Sequence, residues 1–145
     1  MIKKLLPILF VLIITSCSKE VPSDQLVERG NVVYEVNSQT PFTGSSVSSF
    51  YNGQLREKTN YKNGKENGLY ESYHENGQLK LKGNFKNGEV DGLIERYFEN
   101  GQLGSRQNYT DGEKDGLQQI YKRNGKLIKS QCYQDGYEVA MSHCE

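Results

Sequence analysis

The sequence lacks tryptophan, contains only two histidines, and has an apolar fraction of 34%. So low an apolar content argues against a packed α/β domain with a large core. Charge of neither sign dominates, since 18 Lys and Arg residues balance 18 Asp and Glu residues, which argues against a general electrostatic grip on nucleic acid. Glycine and tyrosine are plentiful, at 15 and 10 residues. This composition favours a thin β-structure of one domain.

Catalytic and metal-binding motifs are also missing. The sequence has no Gly-x-Ser-x-Gly, no phosphate loop and no His-Glu-x-x-His. His74 falls beside a predicted turn, which suits a surface role. A zinc site built from Cys132, His143 and Cys144 would lack a fourth ligand, and each acidic turn offers too few carboxylates for calcium. We therefore expect no enzymatic activity, no cofactor and no bound metal.

The first 16 residues are predicted to be an export signal outside the fold. Lys3 and Lys4 precede an apolar run over residues 5–14. This run is about half the ~20 residues that a bilayer-spanning helix needs. A short apolar run behind a basic start is typical of a signal peptide that is removed on maturation.

Three glycine series divide the rest of the chain into a repeat of 24 residues. Asn-Gly recurs at 52–53, 76–77, 100–101 and 124–125, and a second Asn-Gly or Asp-Gly series recurs at 63–64, 87–88, 111–112 and 135–136. With a third glycine at positions 44, 68, 92 and 116, four copies align without a gap over 44–67, 68–91, 92–115 and 116–139. Because these dipeptides tolerate the positive φ of tight turns, each copy is predicted to be a β-hairpin. The predicted fold is all-β, an elongated single-layer antiparallel meander.

Apolar columns within the repeat predict the register. A two-residue loop would place Tyr73 and Leu79 on opposite faces, whereas a three-residue loop over 75–77 pairs them directly. We therefore predict a type I turn closed by a bulge, with left-handed glycines at Gly53, Gly77, Gly101 and Gly125. All apolar columns then point to one face, and the predicted core comprises Leu55, Tyr61, Tyr73, Leu79, Phe85, Tyr97, Leu103, Tyr109, Tyr121 and Leu127. An alternative is that the tyrosines form a ligand-binding surface, although their register with the leucines favours a core.

The end of the signal segment, Ile14-Thr15-Ser16-Cys17, resembles the lipobox of bacterial lipoproteins. The resemblance implies cleavage before Cys17, a diacylglyceryl group on its thiol and acylation of the new amine. Residues 17–29 are then a lipidated cysteine and a flexible tether. Ser18 in place of aspartate implies the outer membrane. The alternative is an ordinary secretory signal followed by a chance cysteine.

The repeat unit, best seen in 68–92 as GLYESYHENGQLKLKGNFKNGEVDG, resembles the MORN repeat variant of bacterial proteins. The resemblance covers about 30–140 of the predicted β-repeat domain, 30–145. Some proteins with such repeats are scaffolds, so the resemblance, the export signal and the missing catalytic motifs together lead us to expect a non-catalytic scaffold that binds a protein partner at the cell envelope, in an oligomeric state that the sequence leaves open. Family members are often described as antitoxins, which implies the alternative of a protein that neutralises a toxin by direct binding.

Two cysteines remain once Cys17 is assigned to lipid. Cys132 replaces the asparagine found at this column in the three earlier copies, and Cys144 lies close to the end of the sequence. An exported chain meets an oxidising compartment, so we predict a disulfide that pins the C-terminal tail to the last strand. The alternative is a pair of free thiols.

Overall fold

The computed structural model describes residues 19–144, so the predicted signal peptide and Cys17 lie outside the described residues. Two short 3-10 turns, Ser23–Gln25 and Met141–His143, interrupt an otherwise β-structure. The strands are β1 (Glu20–Pro22), β2 (Leu26–Arg29), β3 (Val32–Glu35), β4 (Gly44–Ser49), β5 (Leu55–Lys62), β6 (Lys65–Tyr73), β7 (Leu79–Lys86), β8 (Glu89–Val90), β9 (Gly92–Tyr97), β10 (Leu103–Thr110), β11 (Glu113–Tyr121), β12 (Leu127–Gln134) and β13 (Tyr137–Val139).

Most of these strands form one sheet in chain order, which confirms the predicted all-β repeat meander. The sheet has 11 strands and runs β1-β4-β5-β6-β7-β9-β10-β11-β12-β13, with β8 also on β7. Neighbours are antiparallel except β1, which pairs parallel with β4. Strands β2 and β3 form a separate two-stranded hairpin. Consecutive copies are therefore joined edge to edge, so each hairpin is stabilised mainly by its neighbours.

The segment predicted to be a flexible tether is ordered from Lys19 onward, which corrects that expectation. Glu20 accepts a hydrogen bond from Lys58 at 2.5 Å, and Val21, paired with Ser46, is 5% exposed. Lys19 also pairs with Glu35 at 2.6 Å. The Lys58 ammonium lowers the pKa of the Glu20 carboxyl. Local polarity suggested a linker, whereas backbone pairing with β4 and one buried valine hold the segment in place.

The first turn of each copy has the predicted form. His74 N donates to Gln78 O and Gly77 N donates to His74 O, both at 2.8 Å, and Tyr73 pairs with Leu79. Gly53, Gly77, Gly101 and Gly125 all have φ between 79° and 83°. A left-handed residue at this position closes a three-residue loop, which is why glycine recurs there.

The prediction that all apolar columns share one face is wrong. After the Tyr73–Leu79 pair, the register shifts so that Ser72 pairs with Leu81, which leaves Lys80 as a bulge. Similar shifts follow the first turns of the other copies. Since one extra residue inverts the side-chain alternation, the second half of each strand turns its aromatic residue to the opposite face. Tyr61, Phe85, Tyr109 and Tyr133 therefore lie opposite the face that carries Tyr73, Tyr97 and Tyr121.

We call the face with Tyr61 and Phe85 the inner face, and the face with Tyr73 and Tyr97 the outer face. A transverse row on the inner face contains Ser46, Thr59, Ile94, Gln107 and Gln131, which are at most 9% exposed. The residues predicted to form the core are mostly half-buried instead, and Leu127 is 45% exposed. A single sheet buries the middle of its strands best, where both neighbours and the sheet's twist give cover.

The third glycine series has its own role on the inner face. Each of these glycines pairs directly with an aromatic residue of the next strand, for example Gly68 with Phe85 and Gly92 with Tyr109. Phe85 also packs edge-on against Tyr70, with ring centroids 5.8 Å apart. A glycine opposite an aromatic ring lets the ring lie across the neighbouring strand, so both recur every 24 residues.

Candidate interaction surfaces

The outer face carries a row of alternating tyrosine and leucine beside the first turns. The cross-strand pairs Tyr73–Leu79, Tyr97–Leu103 and Tyr121–Leu127 form this row. Each tyrosine hydroxyl donates to the side chain two residues before it, to Glu71 at 3.2 Å, Glu95 at 2.9 Å and Gln119 at 3.0 Å. The rings are thereby oriented by polar neighbours while remaining half-buried. The row therefore combines fixed aromatic surface with hydrogen-bonding groups, as protein-binding surfaces do.

A second row of the outer face alternates in charge across five strands. Lys58 lies opposite Glu71, which lies opposite Lys82, and the row continues through Glu95 to Arg106. Opposite charges facing each other across strands contribute roughly 0.2–1 kcal/mol per pair. This row indicates that the central charges stabilise the sheet, because each one faces an opposite charge on the neighbouring strand. The sequence alone did not reveal this row, because the pairing of its residues depends on the register that the bulges create.

An asparagine ladder links the first turns of successive copies. Asn76 Oδ1 accepts a hydrogen bond from Gln78 N at 3.0 Å, and its Nδ2 donates to Glu99 O of the next copy at 2.7 Å. The corresponding Nδ2 donors of Asn52 and Asn100 reach the next copy in the same way. Asparagine at this position therefore closes its own turn and joins it to the following one, a role that sequence reasoning assigned to turn chemistry alone.

A second ladder links the other turns. Gly64 N donates to Phe42 O at 2.7 Å, Gly88 N to Glu66 O at 2.8 Å and Gly112 N to Val90 O at 2.9 Å. The β2–β3 hairpin continues this ladder at its start, since Val33 N donates to Gly64 O at 2.8 Å. The hairpin therefore lies against the second turn of the first copy. Nothing in the repeat period indicated this contact, because residues 26–35 lie before the first copy.

A cavity of about 470 Å³ opens between this hairpin and the first two copies. Its lining includes Glu28, Glu66 and Glu89 together with Lys65 and Tyr61. Burial, followed by the nearby carboxylates Glu57 and Glu28, raises the pKa of the Glu66 carboxyl. The pKa of Tyr61 is also raised, first by burial and then by Glu66. The cavity is thus lined by more acidic than basic side chains. The sequence did not predict it, because its walls come from separate segments.

A related contact involves Glu57, one of the carboxylates that raise the pKa of Glu66. Tyr70 Oη donates to Glu57 Oε2 at 2.9 Å. Burial and this carboxylate raise the pKa of Tyr70 to about 12. The hydroxyl is therefore protonated under all physiological conditions and is a fixed hydrogen-bond donor.

Several predicted chemical sites can be located directly. Cys132 and Cys144 form a disulfide with Cα atoms 5.9 Å apart, and Cys132 is 1% exposed. His74 Nε2 lies 2.9 Å from Tyr97 O, in a structural contact between copies. Within residues 19–144, no group of three or more His, Cys, Asp or Glu residues is placed to hold a metal ion.

The described chain contains no helix that is long and apolar enough to cross a membrane.

Comparison with known proteins agrees with the geometry of the repeats. The family model of the MORN repeat variant matches four consecutive segments, 42–63, 66–87, 90–111 and 114–135. Each match begins two residues before one of the copies defined above, contains its first turn and ends at the Asn or Asp of its second turn. A comparison with curated proteins found no match. The matched segments cover more than half of the sequence, and the chain therefore belongs to the MORN repeat variant family.

Proposed function

We propose that this protein is a lipid-anchored envelope protein whose repeat sheet binds a protein partner without catalysing a reaction. The observation that carries the proposal is the tyrosine–leucine row of the outer face. It recurs in the last three of the four copies and has no covering element within the described residues. Aromatic side chains held in place supply contact area at small entropic cost.

The N-terminal sequence supports the membrane part of the proposal. A lipobox ending at Cys17 would place two or more acyl chains two residues before Lys19, where the described structure begins. One acyl chain holds a protein at a membrane only marginally, whereas two or more hold it stably. The anchor would then lie at the β1 end of the sheet. The protein would then meet its partner at the envelope, so the target is an envelope protein.

Metabolic labelling with a palmitate analogue tests the anchor. We expect the wild type to carry label and to fractionate with membranes, and Cys17→Ala to lose both. Cys144→Ala is the matched control, since it removes another cysteine and should keep the label. A labelled Cys17→Ala variant, or an unlabelled wild type, would show that the lipobox is not used.

Site-specific photocrosslinking tests the outer face as a binding surface. A photoreactive residue at Tyr97 on the outer face should form a partner adduct in intact cells, whereas one at Tyr109 on the inner face should not. Equal adducts from both positions, or none from either, would contradict the proposal. If the crosslinked protein were a toxin, and co-expression of this protein neutralised it, the antitoxin alternative would be the correct form of the proposed function.

A further inference from the structure

Strand β12 is the last long strand of the sheet, and the short strand β13 covers only one end of the edge that faces away from β11. Strand β13 pairs with Cys132–Gln134, and the disulfide to Cys144 closes the tail over the same end. Within the described part of the chain, no strand pairs with Leu127–Gln131 on this side. Five residues span about 17 Å as a strand, which is the usual length of one β-strand. The open half of β12 is therefore long enough to accept an added strand.

The asparagine ladder stops at the same place. Asn52, Asn76 and Asn100 each donate from Nδ2 to the turn of the next copy. Asn124 accepts a hydrogen bond from Lys126 N at 3.1 Å, but its Nδ2 has no acceptor among residues 19–144. The open edge therefore includes an amide donor, Asn124 Nδ2, whose equivalents in the three earlier copies bind the copy that follows.

The hairpin at this edge carries only cationic charges, unlike the hairpins of the preceding copies. Residues 116–134 contain four cationic residues, Lys122, Arg123, Lys126 and Lys129, and no carboxylate, whereas residues 92–110 contain two of each sign. None of the four cations forms a salt bridge within the described chain. Arg123 lies over the ring of Phe98, so the charges available to a partner are those of Lys122, Lys126 and Lys129.

The strand register separates charge from apolar surface at this edge. Lys129 pairs with Ile120 on the inner side of the sheet, while Leu127 pairs with Tyr121 on the outer side. Leu127 is 45% exposed and the neighbouring Ile128 is 56% exposed. A strand added here would meet cations on one side and apolar groups on the other.

We propose that the open half of β12 binds an extended acidic segment of a partner protein by strand addition. The segment would alternate carboxylate with apolar side chains, carboxylates toward Lys126 and Lys129 and apolar groups toward Leu127. Backbone hydrogen bonds supply affinity in this mode, and alternate side chains supply specificity. Lysines on an edge strand also discourage pairing between identical edges. The same lysines would attract a strand that carries carboxylates. This edge shares Leu127 with the tyrosine–leucine row, but its binding mode is backbone pairing along β12 and not contact with the face, so either proposal can fail alone.

The direct test uses a fluorescent, end-blocked seven-residue peptide of alternating valine and glutamate, with the intact protein. Fluorescence anisotropy should detect binding of this peptide, and the same peptide with lysine in place of glutamate should not bind. Two further probes carry N-methyl groups on odd or on even residues. Since alternate amides point to the same side of a strand, one of these two probes should lose binding about tenfold or more.

The matched protein variants separate edge charge from net charge. Lys126→Glu with Lys129→Glu should weaken binding of the acidic peptide about tenfold, because two attractions become repulsions. Lys62→Glu with Lys80→Glu changes the net charge equally at exposed positions elsewhere and should leave binding within about twofold. All four lysines are exposed, so circular dichroism and thermal unfolding should show that the variants fold.

Three outcomes would overturn the proposal. The first is no binding of the acidic peptide to the wild-type protein. The second is equal binding of both N-methylated probes, which would mean that charge alone attracts the peptide. The third is binding of phosphatidylglycerol vesicles through Lys126 and Lys129 without peptide binding, which would identify the edge as a membrane contact. A partner crosslinked through Tyr97 would leave the outer-face proposal standing in each case.

Discussion

The δ1 methyl group of Ile94 lies 2.0 Å from the point that a β-carbon on Gly83 would occupy. Ile94 is 4% exposed, so its side chain fills the space that the glycine leaves on the inner face. We expect Gly83→Ala to lower the free energy of unfolding by about 1–3 kcal/mol, because the added methyl group overpacks this contact. Urea unfolding monitored by tyrosine fluorescence would measure the change.

Ile94→Val provides the matched control for this contact, because it removes the δ1 methyl group. Alone it should cost about 0.5–1.5 kcal/mol as a small cavity. In the Gly83→Ala background it should restore stability, so the double-mutant cycle should show coupling. Strictly additive effects would mean that the two residues do not compete for this space.

Asn76 and Asn124 allow a test of the ladder between first turns. Both accept a hydrogen bond from the residue two positions later, but only Asn76 also donates to the next copy. Asn76→Asp should therefore destabilise the protein by about 1 kcal/mol, since it replaces a donor with a carboxylate beside the Glu99 carbonyl. Asn124→Asp should have a smaller effect. Thermal unfolding at one pH and salt concentration compares them, and equal losses would argue against a structural role of the ladder.

Glu66 is expected to make stability depend on pH. Its pKa is raised from 4.5 by burial and by the carboxylates Glu57 and Glu28, so the folded state favours the protonated form. This contribution is fully present below the unfolded pKa and is lost as pH rises through the folded pKa. Glu66→Gln should therefore stabilise the protein at pH 7 and have little effect near pH 3.

Glu89→Gln is the control for this pH dependence, because Glu89 lines the same cavity but is exposed. Its effect on urea unfolding should be small at both pH values. If Glu66→Gln destabilised the protein at pH 7, the carboxylate would have a partner that the cavity geometry does not provide.

The Cys132–Cys144 disulfide should contribute about 2–3 kcal/mol of stability, given its sequence separation of 12. Reducing agent should lower the unfolding temperature of the wild-type protein and leave that of Cys132→Ser with Cys144→Ser unchanged. Because β13 has only three residues, its amides should exchange faster with solvent after reduction. Unchanged exchange at Tyr137–Val139 would show that strand pairing alone holds the cap.

Local rules in the sequence determined much of this structure. The spacing of the glycines determined the copy length and the positions of the turns, and Tyr73 and Leu79 determined the three-residue loop, because backbone φ and side-chain alternation act within one hairpin. The family resemblance rested on the same residues. These features need no knowledge of what lies on either side of a hairpin, so they could be predicted.

Only the tertiary structure decided the division of the faces and the ends of the sheet. One bulge after each first turn sent the Phe85 column to the inner face, and its position depends on pairing across strands. The segment before the first copy became ordered because β4 offered it a free edge. At the other end, β13 and the disulfide covered half of β12 and left Leu127–Gln131 open. Edges and cavities are properties of neighbouring segments, which no single repeat specifies.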